Sequence, residues 1–425
     1  MRYLTMRLMC GIAAIVANGA HAQDYTQSGQ LNGQSGQVRV LMNSTAENLN
    51  SPLHQAALLL PGMSVAADHL GVAEAELRFS RHGINAIATL QGQGDDLGHS
   101  KATGWVNEFY GAFDNGAWQF SAGKKIVAWD VGYGFRPNDV VQQERRRSLI
   151  SNTAIGRPVA MAEYFDADNA LSLVWVNPRQ TSSQASKIPE ADEQALAARL
   201  YRRIGALDLH GFARYGRQNG GSLGAALAWV ATDALELHAS VRHLQRSSTL
   251  LMGGQRALLQ AGTPWQVQAQ YDVTQLLAGM VWTTESQHSF MLEAWWDGTA
   301  PSEQQWRKWA QRNQALMAAI RVSPRMQATI GGQLAAQNQL LSATANLQQK
   351  NLFARWSWQS AAWQPAIDIL WTPADRGHVL TASLGWQGDR LRLDGGIRHY
   401  GGPGDSVYAQ LPAASVAYLS ATWPF

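Results

Sequence analysis

Thiols are all but missing: the single cysteine among 425 residues, Cys10, removes disulfide and thiolate-metal chemistry from everything after it. Long apolar runs are missing too. No stretch after Ala22 has 18 consecutive apolar residues, so no membrane helix is available. Neither charge sign dominates, since 34 basic residues against 31 acidic ones give +3. That balance argues against nucleic acid as a partner and against steering by bulk charge. No G-x-S-x-G or H-E-x-x-H pattern occurs, and the eleven histidines are scattered, so the marks of a hydrolase or a metal enzyme are lacking. An enzyme, a bound metal and a cofactor are therefore not expected. A linker that would split the chain into soluble domains is also wanting.

The first residues read as an address. Arg2 and Arg7 form a positive region, Leu8 to Ala17 an uncharged apolar one, and Ala20-His21-Ala22 a small-x-small cleavage pattern. Residues 1–22 are therefore expected to be a signal peptide cleaved after Ala22. Ten apolar residues are too few for a helix to cross a ~30 Å hydrocarbon core, which disfavours a membrane anchor. Cys10 lacks the leucine that a lipoprotein signal would place before it, because Arg7 stands there.

With helices excluded, a closed barrel is the remaining way to satisfy every backbone group in lipid. Its mark is repeated alternation over about ten residues, and this chain has it. Leu235, Leu237, Ala239 and Val241 oppose Glu236, His238, Ser240 and Arg242; Ala73, Ala75, Leu77 and Phe79 oppose Glu74, Glu76 and Arg78. A soluble sandwich also alternates, but a membrane barrel inverts the faces, apolar to lipid and polar to the lumen. Turn residues at 114–116, 166–169, 232–233, 323–324 and 388–389 predict tight hairpins. Longer connections are expected near 93–103, 128–156, 178–195, 245–263, 298–314, 335–349 and 400–412. Keeping that parity requires one long strand over 264–283, with Val273, Leu277 and Val281 on its apolar face. The expected fold is all-β, an antiparallel up-and-down transmembrane barrel of 16–20 strands, best counted as 20 with 18 next. Residues 71–425 would form it, and 23–70 would hold either the first strand or a segment inside the lumen.

Phe425 closes the sequence, with Trp423, Ala421 and Leu419 at alternate positions before it. This resembles the terminal signal read by the barrel-assembly machinery of the bacterial outer membrane. Seventeen tryptophans, many beside turns, suit the aromatic belts of a membrane protein.

From Trp118 to Lys125 a strand runs into Trp129-Asp130-Val131-Gly132-Tyr133-Gly134-Phe135-Arg136-Pro137-Asn138-Asp139. The hairpin of Glu163-Tyr164-Phe165 and Leu171-Ser172-Leu173-Val174 follows. This stretch is similar to outer-membrane proteins of the alginate-export-like and related porin-like groups. The resemblance implies a wide monomeric barrel for a polar or anionic solute or a polysaccharide, without catalytic residues. The expected partners are lipid, lipopolysaccharide, the assembly machinery and the solute. The rival reading is an outer-membrane scaffold or adhesin that transports nothing.

Two groups of residues could set selectivity. Loop 128–156 holds Arg136, Arg145, Arg146 and Arg147 with Asp139 and Glu144. Folded into the lumen, they would form a cationic constriction; held outside, the arginines would meet lipopolysaccharide phosphates. On the strands, Glu74, Glu76, Arg78, Arg199, Arg214, Glu236, His238, Arg242, Glu293, Arg355, Arg392 and Arg398 are expected to face the lumen. Arginine outnumbers acid there, which favours anions unless the charges form a ladder of salt bridges. Ser302 and Gln305 form a capping-box pattern that predicts a loop helix over 301–316, with Trp306 and Trp309 on one face.

Overall fold

A computed structural model describes residues 33–142, 155–177, 193–338 and 346–425, apart from 61, 64–66, 254–256, 261 and 323. The leader expected over 1–22 and its cleavage site lie outside the described residues.

Eighteen strands form one closed antiparallel sheet. In chain order they are β1 (Gly33–Glu47), β2 (His69–Arg81), β3 (Ile84–Asp95), β4 (Ser100–Asn115), β5 (Trp118–Lys125) and β6 (Arg157–Phe165). Then come β7 (Asn169–Val176), β8 (Ala195–Ile204), β9 (Leu207–Gly216), β10 (Gly220–Thr232), β11 (Leu235–Met252) and β12 (Trp265–Thr283). The last six are β13 (His288–Asp297), β14 (Lys350–Trp358), β15 (Trp363–Thr372), β16 (Gly377–Gln387), β17 (Arg392–Gly401) and β18 (Ala413–Pro424). Each pairs with its sequence neighbours, and β18 pairs with β1 from Gln37↔Pro424 to Glu47↔Ala413. No strand edge is left open, which is the condition for a sheet to stand in hydrocarbon. The wall thus includes Gly33–Glu47, within the stretch 23–70 for which a strand and a lumen segment were both open.

The side chains show the inverted pattern. Leu196, Leu200, Leu223, Tyr271, Leu292 and Leu419 point outward and are half or more exposed, while Glu74, Glu76, His238 and Glu293 point inward and are buried. A protein in water does not present so continuous an apolar exterior. Outward tryptophans collect at both rims: Trp118, Trp229, Trp282, Trp363 and Trp423 at the end of the tight turns, Trp175 and Trp371 at the opposite end. They form the two belts expected of amphipathic rings at membrane interfaces.

The count of 18 corrects the preferred 20, and the reason is local. Residues 298–349 are one connection between β13 and β14, containing the helices α2 (Glu303–Val322) and α3 (Gln327–Asn338). Pro324 therefore belongs to a helical insertion and not to a hairpin. The capping box forms, with the Ser302 amide donating to Gln305 Oε1 at 2.9 Å. The helix continues past 316, and its buried Trp306, Trp309, Asn313 and Leu316 keep a helical period. Another helix, α1 (Pro52–Leu59), packs against α3 through Ala56, Ile330 and Leu334. The insertion also packs Trp306 and Trp309 onto Trp265, Val379 and Tyr408, so it covers part of the long-loop end. Near 93–103 only residues 96–99 connect β3 to β4, and β11 runs to Met252 where a loop from 245 was expected.

β12 is one long strand, yet its faces exchange midway. Asp272 has φ 54°, a left-handed conformation in a strand. Tyr271 before it is outward, whereas Val273 and Leu277 after it are buried inside. The expectation of one apolar face through Val273 and Leu277 is therefore corrected: that half of the apolar set faces inward.

Candidate functional site, a loop stapled inside the barrel

An 18-stranded ring leaves an aqueous lumen unless something enters it. The connection between β5 and β6 does enter. Its residues Val127, Trp129, Val140 and Val141 are buried against Val159, Met161, Val174, Val176, Ala197, Phe212 and Ala226 on the inner faces of β6 to β10. An apolar patch on the lumen side of a barrel wall would be costly if it met water. Here the loop covers it, and so both faces of this wall are apolar.

Polar groups fix the middle of the loop. Asp130 sits at φ 132°, a strained conformation for any residue with a Cβ. Its carboxylate accepts from the amides of Val131 at 2.8 Å and Asn138 at 2.5 Å, and from Ser240 Oγ at 3.0 Å. Those bonds close residues 130–138 into a compact lobe and tie it to β11. Asn138 is fully buried and donates through Nδ2 to Ser240 Oγ at 2.8 Å and to the carbonyls of Ala225 and Val241. Gly224 beneath it has no room for a Cβ, which would meet Asn138 Oδ1.

Glu293 on β13 holds the far side of the lobe. Its fully buried carboxylate accepts from the amides of Tyr133 at 2.8 Å and Gly134 at 2.6 Å, and lies 2.9 Å from His238 Nε2. Two arginines donate to loop carbonyls: Arg242 Nη1 to Pro137 at 3.1 Å and Arg214 Nη1 to Val140 at 2.7 Å. Lumen polar groups of β9, β11 and β13 therefore bind one continuous segment. His238 and Ser240, neighbours on one strand face, engage different carboxylates and do not form a nucleophile–base pair.

The loop leaves Ala128 and Tyr133 exposed and Arg136 partly so. Arg136 Nε donates to Gly132 O at 2.8 Å, and its other nitrogens meet no partner among the described residues. Asp139 is buried and accepts from the Trp129 amide at 3.4 Å, so it braces the loop from within. Glu144, Arg145, Arg146 and Arg147 lie outside the described residues.

All twelve strand residues expected in the lumen stand on the inward face, but in separate roles. Arg214, His238, Arg242 and Glu293 hold the loop, with Glu236 3.8 Å from His238 Nδ1. Glu74 pairs with Arg39, and Glu76 with Arg78 at 2.6 Å. Arg355 pairs with Asp368 at 3.0 Å, and Arg392 with Asp394 at 2.9 Å. Arg398 Nε donates to Thr381 Oγ1 at 3.0 Å, and Arg199 Nε to His210 Nδ1 at 3.4 Å. Of these seven arginines, Arg78, Arg355 and Arg392 pair with acids two residues away or on the adjoining strand, and Arg214 lies 3.5 Å from Glu193. Asp368 as the partner of Arg355 is invisible without the strand register, whereas Glu76 and Asp394 stand two residues from their arginines in the sequence. Asn138 and Glu293 as the anchoring pair were also missed, and the sequence offers no spacing that links them across 155 positions.

Burial pushes the Asp130 carboxyl above its ordinary 3.8, against the hydrogen bonds from Asn138, Ser240 and Val131 that lower it. A carboxyl raised in the docked state binds more protons there than when released. Docking is therefore favoured on the acid side and weakens as pH climbs from about 3.8 through the raised value. Replacing Asp130 by Asn should flatten this dependence. Hydrogen exchange at the Val131 and Asn138 amides, followed across that range, measures it. Equal pH slopes in the two proteins would show that Asp130 is not the group involved.

No protein-family model matches the sequence, and no curated protein is similar to it. Solved structures do share the fold. Pseudomonas aeruginosa OccK5 (OpdH) is similar at a TM-score of 0.53 with 9% identity, over 94% of this chain and 99% of that one. A triple mutant of the Rhodopseudomonas blastica porin gives a TM-score of 0.43 with 10% identity, over 92% of this chain and 99% of that one. The likeness to OccK5 extends around the barrel, and at this identity it concerns the fold alone. The alginate-export-like resemblance of residues 118–177 gains no family match.

Proposed function

We propose that this protein is an outer-membrane channel for small polar solutes, narrowed by the β5–β6 loop. The observation that supports this most is the loop itself. A wall of 18 strands encloses water, and residues 126–142 are bonded across its inner face at five strands while the opposite wall stays polar. A scaffold would gain nothing from a partly filled lumen with ion pairs along its free side. Small solutes fit better than a polysaccharide, because the helical insertion covers part of the long-loop end.

In this reading the tight turns face the periplasm and the long loops the exterior. Lipid and lipopolysaccharide surround the wall, and the assembly machinery inserts it through Leu419, Ala421, Trp423 and Phe425. Each monomer is a complete pore. Anion preference would rest on Arg136 with Arg145, Arg146 and Arg147, since Arg78, Arg214, Arg355 and Arg392 on the wall stand beside acids. Held in the lumen, such cations would act at shorter range and in a lower dielectric than on a screened surface.

Liposome swelling tests the proposal. Vesicles carrying the folded protein should admit sugars and amino acids at rates that fall steeply with solute size. Swelling no faster than that of empty vesicles, for every solute, would overturn it.

A further inference from the structure

The lumen half nearest the tight turns carries a second feature, away from the stapled loop. A polar hollow of about 450 Å³ opens in the inner wall of β14 to β18. Strand register explains it. Ala366, Ser383, Gly396 and Tyr418 are successive cross-strand partners, and Gly385 lies between Gln364 and Asp394. Where alanine and glycine take these positions the wall is thin, and the neighbouring long side chains frame a depression.

The frame is charged but almost self-compensated. On one side the row Arg355–Asp368–Thr381–Arg398 crosses four strands in register. On the other, Arg392 holds Asp394 through bonds of 2.9 to 3.1 Å. Between them lie hydroxyls: Ser383 Oγ donates to the Ala366 carbonyl at 3.5 Å, and Tyr418 lines the same hollow. Arg398 spends only Nε on Thr381, and its two terminal nitrogens meet no partner among the described residues.

This chemistry discriminates between ligand classes. A cation would meet three guanidinium groups. A simple anion would satisfy Arg398 but face the two aspartates. An apolar molecule would strand every group in the frame. A solute bearing many hydroxyls can donate to the aspartates and accept from the guanidinium edges at once, and each serine or tyrosine can serve it as either donor or acceptor. The volume lies within the ~300–1,000 Å³ usual for small-molecule sites.

We propose that this hollow binds a neutral, hydroxyl-rich solute of the sugar class on its way through the lumen. The proposal rests on the channel reading, and the test separates the two. Single channels are recorded with maltose added on either side, with gluconate and arginine as comparators. Maltose should interrupt the current saturably and more tightly than either comparator. Ser383→Leu, which fills the hollow, should abolish the saturable block, read against that variant's own open current. Asp394→Asn keeps the shape, removes one charged acceptor, and should weaken the block about tenfold, the loss of ~1.5 kcal/mol for a charge-assisted bond. Open channels that maltose does not block, or block unchanged in both variants, would overturn the sugar site while leaving the channel intact. Tighter block by gluconate would make it an anion site and overturn the proposal as stated. A protein that forms no channel at all would overturn both.

Discussion

Replacing Glu293 by alanine should widen the pore and raise its conductance above that of the unaltered protein. The carboxylate accepts two loop amides and faces His238 with no exposure to solvent. Alanine would leave the amides of Tyr133 and Gly134 without acceptors in a buried place, at ~1–3 kcal/mol each. A penalty of ~2–6 kcal/mol shifts the docked-to-released ratio of the lobe by a factor on the order of tens to tens of thousands. The flanks should hold, because Trp129, Val140 and Val141 keep their apolar contacts on β6 to β10. Asp130 keeps Ser240 and Asn138, so residues 131–136 alone are then released, and the channel should become both larger and noisier. Glu293→Gln keeps one acceptor oxygen and should have a smaller effect in the same direction. An alanine variant with unaltered conductance would mean that this lobe does not bound the pore.

Deletion of Phe425 should cause the other large loss, that of the assembled barrel. Its backbone exchanges two 2.8 Å hydrogen bonds with Gly36, completing the β1–β18 seam. Its ring lies over Gly36, where a Cβ would stand 2.6 Å from it and 2.7 Å from the Glu76 carbonyl. The seam therefore needs glycine on one strand and the terminal aromatic on the other. Deletion should remove most of the heat-modifiable folded species from the membrane. Gly36→Val keeps the terminal residues intact but breaks the same seam, so it separates closure from recognition. If Gly36→Val assembles normally while the deletion does not, recognition dominates. If both assemble at the usual level, the seam argument fails.

These two predictions rest on different amounts of sequence information. The β18 side of the seam was readable, because Phe425, Trp423 and Leu419 keep period two up to the last residue, whereas its β1 partner lay in the stretch 23–70 left between a strand and a lumen segment. The inward faces of β2 and β11 were readable for the same reason. Strand number was not, since Pro324 in the insertion imitates a hairpin turn between short apolar runs. The buried spacing of Trp306, Trp309, Asn313 and Leu316 was the available counter-signal, and it was followed only as far as 316. The exchange of faces in β12 was hidden because it depends on one dihedral, at Asp272. The loop's entry into the lumen was inferred from its arginines, yet its docking depends on Asp130, Asn138, Glu293 and a valine pair. Hydrogen bonding across 160 and 159 positions, from the Tyr133 and Gly134 amides to Glu293, follows from barrel closure and leaves no local pattern.

The central claim is that a water-filled, loop-narrowed pore runs through this barrel. Single-channel recording in a planar bilayer under a salt gradient tests it most directly. The account predicts stable unitary openings in the unaltered protein and a reversal potential shifted toward anions. A folded, heat-modifiable barrel that inserts into the bilayer and passes no current, with or without solute, would contradict it.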